Sequence, residues 1–211
     1  MSIRLYCWPN SSATRVRWAL EELGVDYEWI QPDRKRGDTR AAEYLAVNPT
    51  GKVPGLVDGG QPYFESLAMI LHLAEVYGAE RGLWPGAGAA AARAEGLCWT
   101  VWGVTELHAY MMQFLYHGAD TPVSYAPADR SKATADYNHA QHLRNLDALE
   151  ARLTGRDYIL GSAFSLADVP AASSLLRGRD LGASVEGRKN VEAWLARCGA
   201  RPALARAVGA G

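Results

Sequence analysis

The chain has 211 residues, 48% of them hydrophobic, enough to fill one large core or two modest ones without disulfide staples. Its 22 Lys and Arg stand against 23 Asp and Glu, a net charge of -1 with no block of like charge, so the footprint of a nucleic-acid or anionic-membrane binder is absent. Cys7, Cys98 and Cys198 are too few and too scattered for a disulfide framework or a metal-ligand pattern, and no stretch reaches the ~18 consecutive apolar residues of a membrane span. The expectation is a soluble, cytoplasmic protein with reduced thiols, Cys98 simply packed, and no metal, nucleic-acid or membrane partner.

Residues 3–6 read as a strand, broken by Pro9-Asn10-Ser11-Ser12 before a run in which Val16, Ala19, Leu20 and Leu23 recur at helical spacing. Gly24 ends that helix and residues 27–30 form the next strand, which makes a βαβ opening with a parallel pair and a right-handed crossover. Leu56-Val57 and residues 62–64 flank Asp58-Gly59-Gly60, a strong hairpin signal. Ser66 then precedes Leu67, Ile70, Leu71, Leu73 and Ala74, an amphipathic run for which its hydroxyl suits the N-cap. The order βαβ then ββα is the thioredoxin-like arrangement.

Residues 80–92 shift to Gly, Pro and Ala and read as a linker, with the first domain ending near residue 79. Beyond it strand signals vanish. Residues 89–116, 127–153 and 191–198 carry helical spacing, and 166–176 reads as a buried helix. The fold class is therefore α/β plus all-α, with domains at 1–79 and 89–211. Ser165-Leu166-Ala167-Asp168 fits a capping box in which the serine caps a first-turn amide and the acid reaches back, a structural role.

The stretch most suggestive of chemistry is residues 48–66. Pro54, directly before a strand, sits at an edge or adopts the cis isomer, and a cis bond would leave the amide and carbonyl of Val53 open to an extended ligand by strand addition. A helix starting at Ser66 would welcome a carboxylate. These features suit a small, acidic, peptide-like ligand; an ordinary hairpin loop is the alternative. Ser11 and Ser12 lie where a hydroxyl and the positive end of the first helix converge, an arrangement that would stabilise a thiolate, although both could simply cap the helix. Cys7 ends the first strand near the same point, without a CxxC partner.

The run Asn48-Pro49-Thr50-Gly51-Lys52-Val53-Pro54, followed by Glu65-Ser66-Leu67-Ala68-Met69-Ile70-Leu71, resembles the glutathione-binding half of cytosolic glutathione transferases, and the similarity extends from residue 3 to about residue 205. Tyr158-Ile159-Leu160-Gly161 and the capping box resemble the same family's helical domain. The resemblance implies a bacterial-like, serine-type enzyme with glutathione as co-substrate. It assigns Val53, beside Pro54, to the cysteinyl backbone, Glu65 and Ser66 to the γ-glutamyl amine and carboxylate, and Lys52 to the glycyl end. Arg36 and Arg40 are further candidates for a carboxylate. Ser11, a few residues before Arg15, matches the hydroxyl that activates the thiol, with Ser12 and Asn10 as neighbours able to substitute. Neither the tyrosine of the animal classes nor the cysteine of the bacterial class stands at that spot.

For the second substrate, Trp99, Trp102, Leu107, Tyr110, Met111, Phe114, Leu115 and Tyr116 spread aromatic and methionine side chains over more than one helix face, and Trp8, Tyr110 and Met111 are the expected lining of an adaptable apolar pocket. The resemblance also implies a homodimer. The expected reaction is transfer of glutathione to a small hydrophobic electrophile. The alternatives are a glutathione-dependent disulfide reductase or peroxidase, and a non-catalytic glutathione-fold binding protein.

Overall fold

Four strands of four residues each, β1 (Ile3–Tyr6), β2 (Tyr27–Ile30), β3 (Gly55–Asp58) and β4 (Gln61–Phe64), form one sheet in the order β2-β1-β3-β4. The structure, a computed structural model, describes residues 2–9 and 11–209. β1 runs parallel to β2 and antiparallel to β3, and β3 antiparallel to β4, the mixed sheet expected of a thioredoxin-like unit. Alternation along β1 buries Ile3 and Leu5 and exposes Arg4, whereas β3, central in the sheet, is buried throughout. Gly59 and Gly60, with φ of 57° and 88°, close the β3–β4 hairpin as a two-residue loop with both residues left-handed, the turn whose twist matches the strands.

Between β1 and β2 runs α1 (Ala13–Leu23), stopped by Gly24 in the left-handed conformation, φ 60°. A 3₁₀ turn, Asp38–Arg40, and α2 (Ala42–Leu45) follow β2; neither has enough length for a periodic signal, and sequence reasoning passed over both. After β4 comes α3 (Ser66–Leu73). Here the cap expected at Ser66 is displaced by one residue: Glu65 occupies the cap position and Ser66 is already helical, with no side-chain capping bond.

The second unit, residues 89–200, is built from α4 (Ala90–Trp102), α5 (Ala109–Gly118), α6 (Lys132–Arg152), α7 (Asp168–Asp180) and α8 (Lys189–Gly199). The single helix expected over 89–116 is interrupted by a π-helical stretch, Gly103–His108. Gly103 explains part of this, because a Cβ there would lie 3.1 Å from the Ala171 amide nitrogen of α7. Cys98, expected to be packed, is exposed on α4, while Cys7 and Cys198 are buried. Among the described residues no helix is long and apolar enough to cross a membrane.

Asp168 is fully buried and accepts four hydrogen bonds: from the Ile159 amide (2.8 Å), the Trp194 indole (2.8 Å), and the amide (2.9 Å) and hydroxyl (3.1 Å) of Ser165. The acid does reach back as the capping box requires. Its serine donates to the carboxylate rather than capping an amide. The carboxylate thus ties the 158–165 loop and α8 to the start of α7.

The chain then returns. α9 (Pro202–Gly209) belongs with the first unit, which comprises residues 1–88 and 201–211, so the helical domain expected over 89–211 loses its tail. Alongside the buried Ala203 and Ala207, ion pairs hold it there. Glu21 and Glu22 stand at the negative, C-terminal end of α1, where carboxylates are unfavourable and no basic residue in the last turn offsets them. Arg201 supplies a two-pronged pair to Glu22 (2.5 and 2.7 Å), and Arg206 bonds the Glu21 carboxylate (2.7 Å) and the Glu21 carbonyl (3.1 Å).

The core face of α6 holds one polar anomaly, His142, 2% exposed and with no hydrogen-bond partner on either ring nitrogen. Burial, with smaller contributions from His139 and Arg188, lowers its pKa from 6.5 to about 4. The folded chain therefore refuses a proton that the unfolded chain accepts between those values. Stability is complete above pH 6.5, declines as the pH falls through this window, and loses about 3 kcal/mol by pH 4. His142→Leu should flatten that decline, as read from urea midpoints at pH 7.5 and 4.5; an unchanged slope would assign the acid sensitivity elsewhere.

Candidate functional site

Ile30, Tyr6, Gly55 and Phe64 form the last rung of the sheet, fixed by the pairings Tyr6↔Ile30, Tyr6↔Gly55 and Gly55↔Phe64. Just past that rung lie the 7–12 loop leaving β1, Lys52-Val53-Pro54 entering β3, and Glu65-Ser66 leaving β4. α1 and α3 both begin here. Two helix N-termini, each with a partial positive charge, therefore open at one end of one sheet.

The Val53–Pro54 peptide bond is cis. Around it, the buried side chain of Asn48 uses its amide nitrogen to bond the carbonyls of Lys52 (2.7 Å) and Pro54 (3.1 Å), and its oxygen accepts from the amide (3.0 Å) and hydroxyl (2.7 Å) of Thr50. The Tyr44 hydroxyl adds a second bond to the Lys52 carbonyl, 2.6 Å. The carbonyls on either side of Val53 are thereby tied down, while Val53 itself lies beyond the strand ladder and outside this set of bonds. Sequence reasoning missed both residues. For Asn48, asparagine's habit of bonding its own loop is a usable signal; Tyr44 gives none.

Glu65 has φ 67° and ψ 118°, the one non-glycine positive φ among the described residues, a conformation that costs ~1–3 kcal/mol and turns the chain sharply from β4 into α3. Its side chain is exposed and Ser66 is buried beside it. On the other flank Lys52 is exposed, and Arg40 donates to the Thr50 carbonyl (3.4 Å) and packs on Gly51. Arg36 is taken up by Asp38 (3.0 Å) and Asp33 (3.5 Å).

The Ser11 hydroxyl donates to the Trp8 carbonyl (2.7 Å) while its oxygen accepts the Ala13 amide (3.2 Å). The first-turn amide is thus served by Ser11, and Ser12, at the cap position, makes no side-chain capping bond and is exposed, so of the two serines that could cap the helix only Ser11 takes an amide. Asn10 lies outside the described residues. Cys7 is 2% exposed, and burial raises its thiol pKa to about 11 against the lowering effects of Arg17 and Trp29, which leaves it protonated and inert.

Trp8 is held in the first unit by its indole bond to the Pro32 carbonyl (2.7 Å) and by the Arg34 guanidinium 4.1 Å from its ring centre. It borders a recess of about 20 Å³ shared with Cys7, Thr14, Arg17 and the α9 residues Ala207 and Val208. A larger concavity of about 230 Å³ lies beside Tyr6, Ile30, Pro32 and Tyr44, with Asp38 and Glu43 among its walls. In the second unit Tyr110 is half-buried, its ring 6.4 Å from that of Tyr137, and its pKa is raised first by the charge of Glu106. Met111 departs from the pocket-lining expectation: Leu107, Met111 and Leu115 share the inward face, and Met111 is fully buried with its sulfur against Gly178.

Two family profiles match the chain, "Glutathione S-transferase, N-terminal domain" over residues 1–75 and "Glutathione S-transferase, C-terminal domain" over residues 107–202. Glutathione S-transferase 3 of Zea mays is 33% identical over 99% of this chain and 94% of its own. Glutathione S-transferase GstB of Escherichia coli is 30% identical over 95% and 96%. Among solved structures, the theta class glutathione S-transferase of Xanthomonas axonopodis pv. citri, with glutathione bound, superposes with a TM-score of 0.82 at 30% identity, covering 99% of this chain and 98% of that one. The glutathione transferase of Burkholderia graminis, with two glutathione molecules bound per subunit, gives 0.85 at 28% identity over 99% and 88%. With domains of this kind in this order and an identity of 33% along nearly its whole length, the chain belongs to the cytosolic glutathione S-transferase superfamily.

Proposed function

We propose that this protein binds glutathione past the last rung of the sheet and lowers the pKa of its thiol for direct attack on a small hydrophobic electrophile. The observation that carries this reading is the convergence of the Val53 backbone, the Glu65-Ser66 turn and the Ser11 hydroxyl beside two helix N-termini. An extended tripeptide pairs its cysteinyl backbone with Val53 and its γ-glutamyl carboxylate with the start of α3, opposite Glu65 and its amine. Lys52 and Arg40 flank the glycyl end. The sulfur then lies by the start of α1, where the helix dipole and a serine hydroxyl both favour thiolate.

Ser11 is the preferred donor. An oxygen that already accepts the Ala13 amide is polarised into a better donor, and its proton needs only a rotation about Cβ–Oγ to leave the Trp8 carbonyl for the sulfur. A reductase or peroxidase working through an enzyme thiol is disfavoured by the buried, protonated Cys7. Trp8 and Tyr110 remain the proposed contacts for the electrophile. A cytoplasmic site of action fits the three free cysteines.

The same reading includes a homodimer. Leu97 and Val101, one turn apart on α4, are 37% and 39% exposed with Cys98 between them, and Phe64 and Val76 of the first unit are 42% and 53% exposed. On α4 the apolar strip of Leu97 and Val101, one turn apart, is what a second copy would cover.

Titration calorimetry should detect glutathione binding, and no heat at millimolar glutathione would favour a non-catalytic protein. Ser11→Ala should leave that binding nearly unchanged and raise the pKa of the bound thiol by about one unit, roughly tenfold less thiolate near neutrality, with the loss shrinking as the pH rises. An unmoved thiolate titration would transfer the role to Ser12. Sedimentation should show a dimer that Val101→Glu converts to monomer; a stable monomer in the parent protein would end the dimer reading.

A further inference from the structure

Three contacts place α9 along the whole of α1. Arg201, just ahead of α9, pairs with Glu22 at the C-terminal end of α1, Arg206 reaches Glu21 from within α9, and the following Ala207 and Val208 share a recess with Trp8, Pro9 and Thr14 at the N-terminal end. The two helices therefore run in opposite directions. Ala203 and Ala207, four residues apart and each 4% exposed, are the small residues that permit the close approach. Trp8, which lines that recess, carries the carbonyl that accepts the Ser11 hydroxyl, and the first turn of α1 supplies the Ala13 amide that the Ser11 oxygen accepts.

We infer that α9 is a splint that positions the thiol-activating loop, with Arg206 and Arg201 as positioning residues that seat Ala207 and Val208 against Trp8 and Pro9 and so fix where the Ser11 hydroxyl stands. This rests on the reading of Ser11 as thiolate donor. The Trp8 indole is anchored on the β2 side by Pro32 and Arg34, and the Ser11 bonds tie the loop to α1 from within, so α9 is the element that braces this loop from outside the β1–α1 connection. Arg206 is the milder lever: its side chain is 55% exposed and that of Glu21 19%, against 26% and 6% for Arg201 and Glu22, so its loss leaves no fully buried carboxylate unpaired.

The test is the pH profile of Arg206→Gln, Arg206→Lys, Val208→Gly and Ser11→Ala, with the thiolate absorbance of bound glutathione and the melting temperature recorded for each. Arg206→Gln and Val208→Gly should each raise the thiol pKa by about half a unit, which lowers kcat near pH 6.5 about threefold, leaves KM for glutathione within about twofold, and disappears by pH 9. Arg206→Lys should keep the parent profile. If Arg206→Gln and Val208→Gly lower the melting temperature but leave the thiol pKa unmoved while Ser11→Ala shifts it, the splint is structural only and this inference falls. A Ser11→Ala variant that does not shift the thiol pKa overturns the reading of Ser11 itself, whatever α9 does.

Discussion

The register of β3 between β1 and β4 is the constraint on which the site depends. Tyr6, Gly55 and Phe64 stand in one row, and the three segments that leave that row carry the backbone, carboxylate and hydroxyl contacts of the proposed site. A slip of one residue would turn Leu56 to the opposite face of the sheet and carry Val53-Pro54 away from Glu65-Ser66. Strands of four residues have little of their own with which to resist a slip. Resistance comes from their ends: the two left-handed glycines at the hairpin, and Asn48, whose four hydrogen bonds close the opposite loop on itself.

The strands, the hairpin, α1 and the helical character of the second unit were legible because each is set by local pattern: alternation in β1, helical spacing in α1, a Gly-Gly turn between two apolar runs. The chain positions of the proposed glutathione contacts were legible too, since motif order survives folding. What escaped had causes that are not local. α2 is one turn long. The displaced cap at Ser66 and the choice of Ser11 over Ser12 as acceptor of the Ala13 amide turn on a single residue of helix start, where sequence signals are weakest. Met111 was read as pocket lining, but its face is decided by the π-helical stretch ahead of it, which rotates the residues that follow. Cys98 is apolar enough for a core and sits on the face that α4 leaves open.

Two buried polar groups in the second unit show how differently such residues behave when satisfied or not. Asp168, with four donors around it, joins loop, α7 and α8 into one block, and its burial raises its pKa without leaving any lone pair wasted. His142 has burial without partners, and its effect is to make the unit's stability depend on acidity. The first is a structural weld in the fold, the second a tolerated cost.

The pairing of Arg201 with Glu22 spans 179 positions of sequence. Residues 1–88 carry all four strands and both long helices of the first unit, and Tyr27 and Trp18 already bond Glu21 and Glu22 there, yet the arginines that pair with these carboxylates are made only after the whole helical unit. Until then the face of α1 that α9 covers is bare and its negative end lacks both arginine pairs. The order of assembly thus departs from the order of the chain: the helical unit, residues 89–200, can close first, and the unit that holds the sheet is finished by a segment that follows it.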